Sequence, residues 1–396
     1  MLTFNKDFTQ QEPIPEQGIE KALEVLRSGR IHRYNLLPGE KGLVCELEEK
    51  FAEYMGAKYC LACASCGSAM FLALKSVGVR PGDKVLCNAY TLAPVPGSIE
   101  HCGAETVLVD ILDDYTIDTD DLARKAESSG ARFLMLSHMR GHIAHMDKVM
   151  EVCERFGLVL IEDCAHTMGA SWDGRKSGTF GKAACYSTQT YKHMNSGEGG
   201  LLITDNDEVI AKAIIHSGSY MIYGTHTSRP DMSAFEDVKW YTPNFSMRMD
   251  HLRASILLPQ LEKLDVQCAR WNDLYDHTEA LLRQIPGISC PPRDPREKYV
   301  GSSIQFNIDN ASYEDIKSFL VETDKRGVSV KWFGNVEPVG FTSCYDSWKY
   351  LTNLPDLSNT KKVLATMCDI RLPLTFTKDD CDLIVAIIRE ALDAIR

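Results

Sequence analysis

Tyr186-Ser187-Thr188-Gln189-Thr190-Tyr191-Lys192-His193-Met194-Asn195-Ser196-Gly197-Glu198-Gly199-Gly200 follows the apolar segment Ala183 to Tyr186 and runs into a second β-rich stretch, Gly200 to Thr204. A strand delivers a hydroxyl at Ser187 and an amine five residues later at Lys192, and the glycine-rich exit lets backbone pass close to a flat ligand. These surroundings fit a lysine that forms a Schiff base beside a phosphate, which points to pyridoxal phosphate chemistry. The ordinary alternative is a solvated loop lysine. Segments upstream decide between the two.

Working outward, short β-rich runs alternate with helical patterns from about Tyr59 to Thr204. The strand candidates are Tyr59 to Ala64, Lys84 to Cys87, Thr106 to Asp110, Phe133 to Ser137, Leu158 to Glu162, Ala183 to Ser187 and Gly200 to Thr204. Between them, apolar residues recur at helix spacing, as at Met70, Leu72, Ala73 and Leu74, or Met146, Val149, Met150 and Cys153. Connections of that length allow crossover helices and parallel pairing, so the pattern predicts an α/β fold built on a large, mostly parallel sheet. Ligands in such sheets sit beyond the carboxyl ends of the strands, where the chemical-looking residues of this chain fall.

Past Asp250 the pattern changes to a long helical segment, Leu252 to about Gln284, followed by proline-rich breaks at Ile285-Pro286-Gly287 and Cys290-Pro291-Pro292. Strand candidates at Ser302 to Ile308 and Val328 to Phe333 then alternate with helices at Tyr313 to Asp324 and Lys378 to Ile395. This predicts a smaller α+β domain. The expected division is an N-terminal arm plus large domain over 1–265, with a helix at Ile19 to Ser28, and a small domain over 266–396.

With 396 residues, 44% of them hydrophobic, the chain can bury a large core. The balance of 43 basic against 55 acidic residues gives a net charge of -12 and argues against a nucleic-acid-binding surface. No apolar run reaches the length of a membrane span, and the start Met1-Leu2-Thr3-Phe4-Asn5-Lys6-Asp7 lacks the features of a signal peptide, so the cytosol is the expected location. Fourteen cysteines at this length read as reduced thiols. Cys60, Cys63 and Cys66 have a spacing that can feed an iron–sulfur cluster, but along a strand residues three apart point to opposite faces, which favours buried thiols and no metal.

Two further segments join Lys192. Ala64-Ser65-Cys66-Gly67-Ser68-Ala69 links a strand to a helix, so free N–H groups and the Ser68 hydroxyl can surround an anion; a simple N-cap by Ser68 is the plainer reading. Leu158-Val159-Leu160-Ile161-Glu162-Asp163-Cys164-Ala165-His166 is an apolar strand ending in two carboxylates and an imidazole. A pyridinium nitrogen stays protonated only beside a fixed anion, and Asp163 is the expected anion, with Glu162 on the other side of the strand. His166 would bond or stack on the cofactor, or else be a satisfied core histidine.

Together these segments resemble the DegT/StrS-type sugar aminotransferase family over nearly the whole chain. Cys66-Gly67-Ser68-Ala69-Met70 is similar to the family's SGTxAL turn, Val79-Arg80-Pro81-Gly82-Asp83-Lys84-Val85 to its GxxPGDEV segment, and Gly141 with Met146-Asp147 to its GxxxDMD stretch. Glu162-Asp163-x-Ala165-His166 resembles EDxAH, Ser187 with Lys192 resembles SFHxxK, and Gly197-Glu198-Gly199-Gly200 is GEGG. Arg248-Met249-x-x-Leu252-x-Ala254 resembles RMxELxA, and Leu372-Pro373-Leu374 the terminal LPL. The resemblance implies the aspartate-aminotransferase fold (fold type I) with a seven-stranded sheet, and pyridoxal 5'-phosphate as cofactor. It makes Lys192 the internal aldimine and general acid/base, Asp163 the partner of the pyridine nitrogen, and Gly67, Ser68 and Ser187 phosphate ligands. It also implies a homodimer in which residues near Arg248, Asn244 and Ser246 among them, complete the neighbouring subunit's phosphate site.

The chain departs from the family at three places. Thr91-Leu92 stands where an aromatic residue usually stacks on the cofactor, so at the cofactor-binding position Leu92 the stack is either lost or taken over by Tyr90 or another side chain. Ser246 replaces the usual Asn before Arg248, with Asn244 two residues earlier. Lys331-Trp332-Phe333-Gly334-Asn335-Val336-Glu337-Pro338 lacks the common tyrosine-and-histidine pattern. The resulting expectation is an aminotransferase that moves an amino group from Glu or Gln to a keto-sugar, keto-cyclitol or related polar carbonyl compound of secondary metabolism. Arg33 and Lys331 are the only cations in the candidate substrate segments, Ile31 to Leu37 and Lys331 to Pro338, too few for an obligatory diphosphate clamp. A sugar dehydratase would carry His in place of Lys192, and a regulatory protein would need a helix-turn-helix module or basic face.

Overall fold

The computed structural model describes residues 2–395. Its strands, in chain order, are β1 (Tyr59–Cys63), β2 (Lys84–Asn88), β3 (Glu105–Val109), β4 (Phe133–Ser137), β5 (Val159–Asp163), β6 (Ser171–Trp172), β7 (Arg175–Lys176), β8 (Ala183–Ser187), β9 (Gly200–Thr204), β10 (Ile288–Ser289), β11 (Glu297–Lys298), β12 (Ser303–Ile308), β13 (Lys331–Trp332) and β14 (Met367–Arg371). Seven of them form one sheet in the order β1-β9-β8-β5-β4-β2-β3. Only β9 runs against its neighbours; the other pairings are parallel. Each expected strand of the large domain is present, with ends shifted by at most one residue.

Strands buried on both faces explain the unbroken apolar runs. Leu86, Leu134, Leu136 and Leu160 pack on one side against Val44, Leu47 and Phe51 of the helix Leu43–Met55 and against Met146 and Val149. Val85, Cys87, Phe133, Met135 and Ile161 pack on the other side against Ala69, Leu72 and Ala73 of the helix Cys66–Ser76. Cys60 lies in the first core and Cys63 in the second, the alternation a strand imposes, and all fourteen cysteines are free thiols. No helix among the described residues is long and apolar enough to cross a membrane.

Beyond the large sheet, β10-β12-β14-β13 form an antiparallel sheet. Its inner face, with Ile304, Phe306, Cys368 and Ile370, packs on Ile384, Ile387 and Ile388 of the C-terminal helix Lys378–Ile395. β14, whose short Met-Cys-Asp-Ile-Arg run mixes charge with apolar residues, and the helix Ser358–Thr366 before it are additional to the expected elements. The strand expected over Val328 to Phe333 shrinks to β13, and the expected long helix is broken into His251–Leu261 and Leu264–Leu282.

The second of these helices joins two cores. Leu264, Cys268 and Trp271 belong to the large-domain core, while Leu274, Tyr275 and Leu282 belong to the small one. A division at 265/266 therefore falls at the start of a continuous helix. The N-terminal arm also departs from the expected grouping: Phe4 and Phe8 pack on Phe376 in the small-domain core, with ring centroids 5.0–5.4 Å apart, and the Phe4 amide bonds to the Arg326 carbonyl at 2.7 Å. Aromatic area draws the arm across the sequence boundary.

Candidate active site

Strand register brings the site together at the carboxyl ends of β4, β5 and β8. Ser137 and Asp163 are direct neighbours across β4 and β5, and the Ser137 hydroxyl donates to Asp163 Oδ2 at 2.7 Å. The Ala165 amide donates to Asp163 Oδ1 at 3.1 Å, so the carboxylate is fixed on both oxygens. Glu162, one residue earlier, points to the opposite face. There it accepts from the backbone N–H groups of Gly178, Phe180 and Gly181 and lies 3.2 Å from His138 Nε2. Glu162 is thus committed to holding the loop after β7, and Asp163 is the carboxylate available to a ligand.

Gly67, Leu92, Asp163, His166, Ser187 and Lys192 line one cavity of about 350 Å³, within the usual range for small-ligand sites. Lys192 Nζ lies 2.6 Å from His166 Nε2. Burial, reinforced by the nearby Arg140 charge and opposed by Asp163, brings the Lys192 amine down to about 7. Burial and the Lys192 and Arg140 charges push His166 well below the ordinary histidine value, which keeps the imidazole neutral. The other ring nitrogen, Nδ1, is buried and has no partner among the described residues.

The turn before the helix Cys66–Ser76 adds an anion-receptive end. Ser65, rather than Ser68, is the N-cap: its Oγ accepts from the Ser68 amide at 3.0 Å and lies 2.9 Å from the Ser68 hydroxyl. A β carbon built on Gly67 would meet only Ser65 Oγ, at 3.7 Å, so space beside the first turn is open. Ser68 itself stands just outside the cavity lining. Gly200 has a different task, since a β carbon there would strike the Ser65 carbonyl at 2.4 Å; the glycine-rich exit is needed for backbone crossing backbone.

Other expected residues fall elsewhere. Asn244 and Ser246 are exposed on the single chain and line no part of this cavity; Arg248 is held by the Gly218 carbonyl and by the Ser246 hydroxyl. Tyr90 packs edge-on against Phe333 in a core and does not line the cavity, whereas Leu92 does, with Met70, Val95 and Phe341. Arg33 is buried in a two-point ion pair with Glu48 at 2.9 Å and does not line the cavity. Trp332 is a core residue whose indole donates to the Ala365 carbonyl.

Two cavity cations had no role in the sequence reading. Arg140 follows β4 at φ 56°, and Arg371 ends β14 with its guanidinium 3.9 Å from the Tyr191 ring centroid. A cation directly after a strand end was the readable signal for Arg140; Arg371 could not be placed without the missed strand.

These residues fit pyridoxal phosphate. A buried amine that gives up its proton around neutrality, a fixed carboxylate, an unpartnered imidazole nitrogen and an open helix N-terminus surround one cavity of suitable size.

A family model for the DegT/DnrJ/EryC1/StrS aminotransferases matches residues 14–389. The spore coat polysaccharide biosynthesis protein SpsC of Bacillus subtilis is 31% identical over 286 residues, 70% of this chain and 69% of that one. The UDP-2-acetamido-2-deoxy-3-oxo-D-glucuronate aminotransferase of Pseudomonas aeruginosa is 30% identical over 295 residues, 74% of this chain and 76% of that one. In fold, the crystal structure of 3-amino-5-hydroxybenzoic acid synthase superposes with a TM-score of 0.81 at 24% identity, covering 98% of this chain and 99% of that one. The chain belongs to the DegT/DnrJ/EryC1/StrS aminotransferase family and is a fold type I aminotransferase with pyridoxal phosphate as its cofactor.

Proposed function

We propose that this aminotransferase takes the amino group of Glu or Gln and delivers it to the carbonyl carbon of a keto-sugar, keto-cyclitol or related polyhydroxylated acceptor, with Lys192 as the residue that carries the cofactor and moves the protons. The observation that carries the reading is the Lys192 amine, buried, brought down to about 7 and 2.6 Å from a neutral imidazole. An amine in that state is nucleophilic and basic near neutral pH, which an ordinary lysine is not.

Bound pyridoxal phosphate supplies an electron sink for the pair left behind when a C–H bond beside the substrate nitrogen is broken. Lys192 Nζ would take that proton and give it back in each half of the reaction. Asp163, fixed by Ser137 and Ala165, would hold the pyridine nitrogen protonated. His166 Nδ1, the backbone at Gly67 and the Ser187 hydroxyl, all at this cavity, would take the ring substituents and the phosphate. Leu92 closes one wall without a stacking ring.

The working unit in this reading is a homodimer. Met221, Trp240, Tyr241 and Phe245 are 75%, 76%, 85% and 63% exposed on the single chain, an apolar surface of the kind a second copy covers. Asn244 and Ser246 lie on that same segment, where a neighbour's phosphate site would meet them.

The test is an absorption spectrum of the purified, cofactor-loaded protein before and after adding Glu or Gln. The long-wavelength band should disappear with the donor and return with the true acceptor, screened among nucleotide-linked keto-sugars, keto-cyclitols and simple keto acids. A band untouched by both donors would overturn the reading.

A further inference from the structure

The polar face of the small sheet carries more positive charge than its own residues neutralise. Lys331 and Asp369 are direct cross-strand partners on β13 and β14, and Arg371 lies two residues beyond Asp369, so the three side chains share one face. The opposite face, with Trp332, Cys368 and Ile370, is core. Arg140 from the large domain comes down onto this face and pairs with Asp369 Oδ2 at 3.1 Å. Three cations thus meet a single carboxylate, and the other oxygen of that carboxylate is taken by Gln305 Nε2 at 2.7 Å.

The cations are also short of hydrogen bonds. Arg140 is 7% exposed and its Nε has no partner among the described residues; Lys331 Nζ is buried and equally without one. Arg140 and Arg371 both line the cavity that holds Lys192. Arg140 is held at φ 56°, a left-handed conformation disfavoured for a residue with a β carbon, and its neighbour Gly141 has φ 83° with a β-carbon position only 3.0 Å from the Val300 carbonyl. The surrounding structure therefore enforces a position that leaves a buried guanidinium incompletely paired. Buried charge in that state is costly until an anion arrives.

We propose that Arg140 and Arg371 form a carboxylate-binding subsite in the cavity, with Lys331 behind them adding charge, and that this subsite fixes a substrate carboxylate beside Lys192. Planar guanidinium groups suit the two oxygens of a carboxylate, and a pair of them orients it as well as attracts it. Asp163 makes no ion pair with either arginine; its oxygens accept from Ser137 and Ala165. The inference rests on the proposed amino transfer for what the carboxylate belongs to: the donor amino acid or an acidic acceptor. The existence of the subsite does not depend on it.

Calorimetric titration of the cofactor-loaded enzyme with glutarate, and with uncharged glutaramide, reads the subsite without turnover. Glutarate should bind, glutaramide should not, and Arg371→Gln should weaken glutarate by about tenfold or more, with Arg371→Lys in between. Because Arg140→Gln alone removes the ion-pair partner of buried Asp369, the double variant Arg140→Gln/Asp369→Asn is the better second probe, and it should lose glutarate affinity while keeping the cofactor's absorption band. Separate half-reactions then assign the source. A higher KM for Glu or Gln in Arg371→Gln, at little changed kcat, marks the donor carboxylate; a higher KM confined to the acceptor marks an acidic acceptor. Unchanged glutarate affinity in both variants, or tighter binding of inorganic phosphate than of glutarate, would overturn the subsite. Loss of glutarate affinity in an enzyme that transfers no amino group would keep the subsite and reject the proposed function.

Discussion

Lys192 Nζ and His166 Nε2 stand 2.6 Å apart in a buried pocket, where burial holds both groups away from their charged states. The Lys192 charge adds to the effect on His166, and Arg140 adds to it on both. At neutral pH the ring is therefore neutral and a large share of the amine is free of its proton.

Replacing that amine removes both the attachment point and the proton carrier. Lys192→Ala should lose the long-wavelength cofactor band and at least about 10²-fold in turnover, the usual scale for a general base. Spectra and steady-state rates check it together, and a variant that turns over at the wild-type rate would refute the role.

The lowered Lys192 value has a pH signature in the cofactor-free protein. Covalent uptake of pyridoxal phosphate should fall about tenfold per pH unit below about 7 and level off above it, whereas an ordinary lysine would keep gaining up to about 10. The stability contribution has the opposite sense to that of a paired lysine. Between about 7 and the ordinary value, the unfolded chain holds a proton that the folded chain does not, so this contribution rises with pH. Stopped-flow absorbance and urea unfolding at matched pH values measure the two effects.

The two adjacent carboxylates should fail in different ways. Asp163→Asn should fold normally, retain cofactor and slow the donor half-reaction by orders of magnitude. Glu162→Gln places an amide donor among three backbone N–H donors and should cost about 3–5 kcal/mol of stability, the range for breaking a buried charged network. Urea midpoints and single-turnover rates separate them; a stable, slow Glu162→Gln would transfer the anion role to Glu162.

Glu48 supplies an acid-sensitive fastening. Burial alone would raise its pKa, but the charges of Arg33 and His226 outweigh that and hold it well below the usual carboxylate range. A depressed carboxylate stabilises the fold above its unfolded pKa, and that stabilisation is lost as pH falls through the folded value. Glu48→Gln should therefore lose stability at pH 7 and show a flatter acid limb than wild type, measured by thermal unfolding between pH 3 and 7.

The exposed aromatic segment predicts assembly. Introducing charge with Tyr241→Glu and Phe245→Glu should shift the protein to monomers in sedimentation velocity and weaken cofactor retention, because Asn244 and Ser246 would no longer meet a second site. Wild type sedimenting as a fully active monomer would count against the dimer.

Period and punctuation in the sequence determined the large-domain strands, since parallel strands buried on both faces must be apolar throughout and must end where polar residues begin. The same logic located Asp163, His166, Ser187 and Lys192 at strand ends, and the period of two assigned Asp163 and Glu162 to opposite faces. What only the tertiary structure decided depends on contacts between distant segments. The cap fell to Ser65 because cap geometry requires the preceding residue to leave the helix at that point. Arg33 was drawn to Glu48, 15 residues away, and not to the cavity. Arg140 and Arg371 came together from positions 231 residues apart, on a loop and on a strand too short and too charged to read, because the small sheet's register carries Arg371 to the face that Arg140 meets. Local spacing fixes which residues end a strand; which charges share a cavity is set by the docking of one sheet on another.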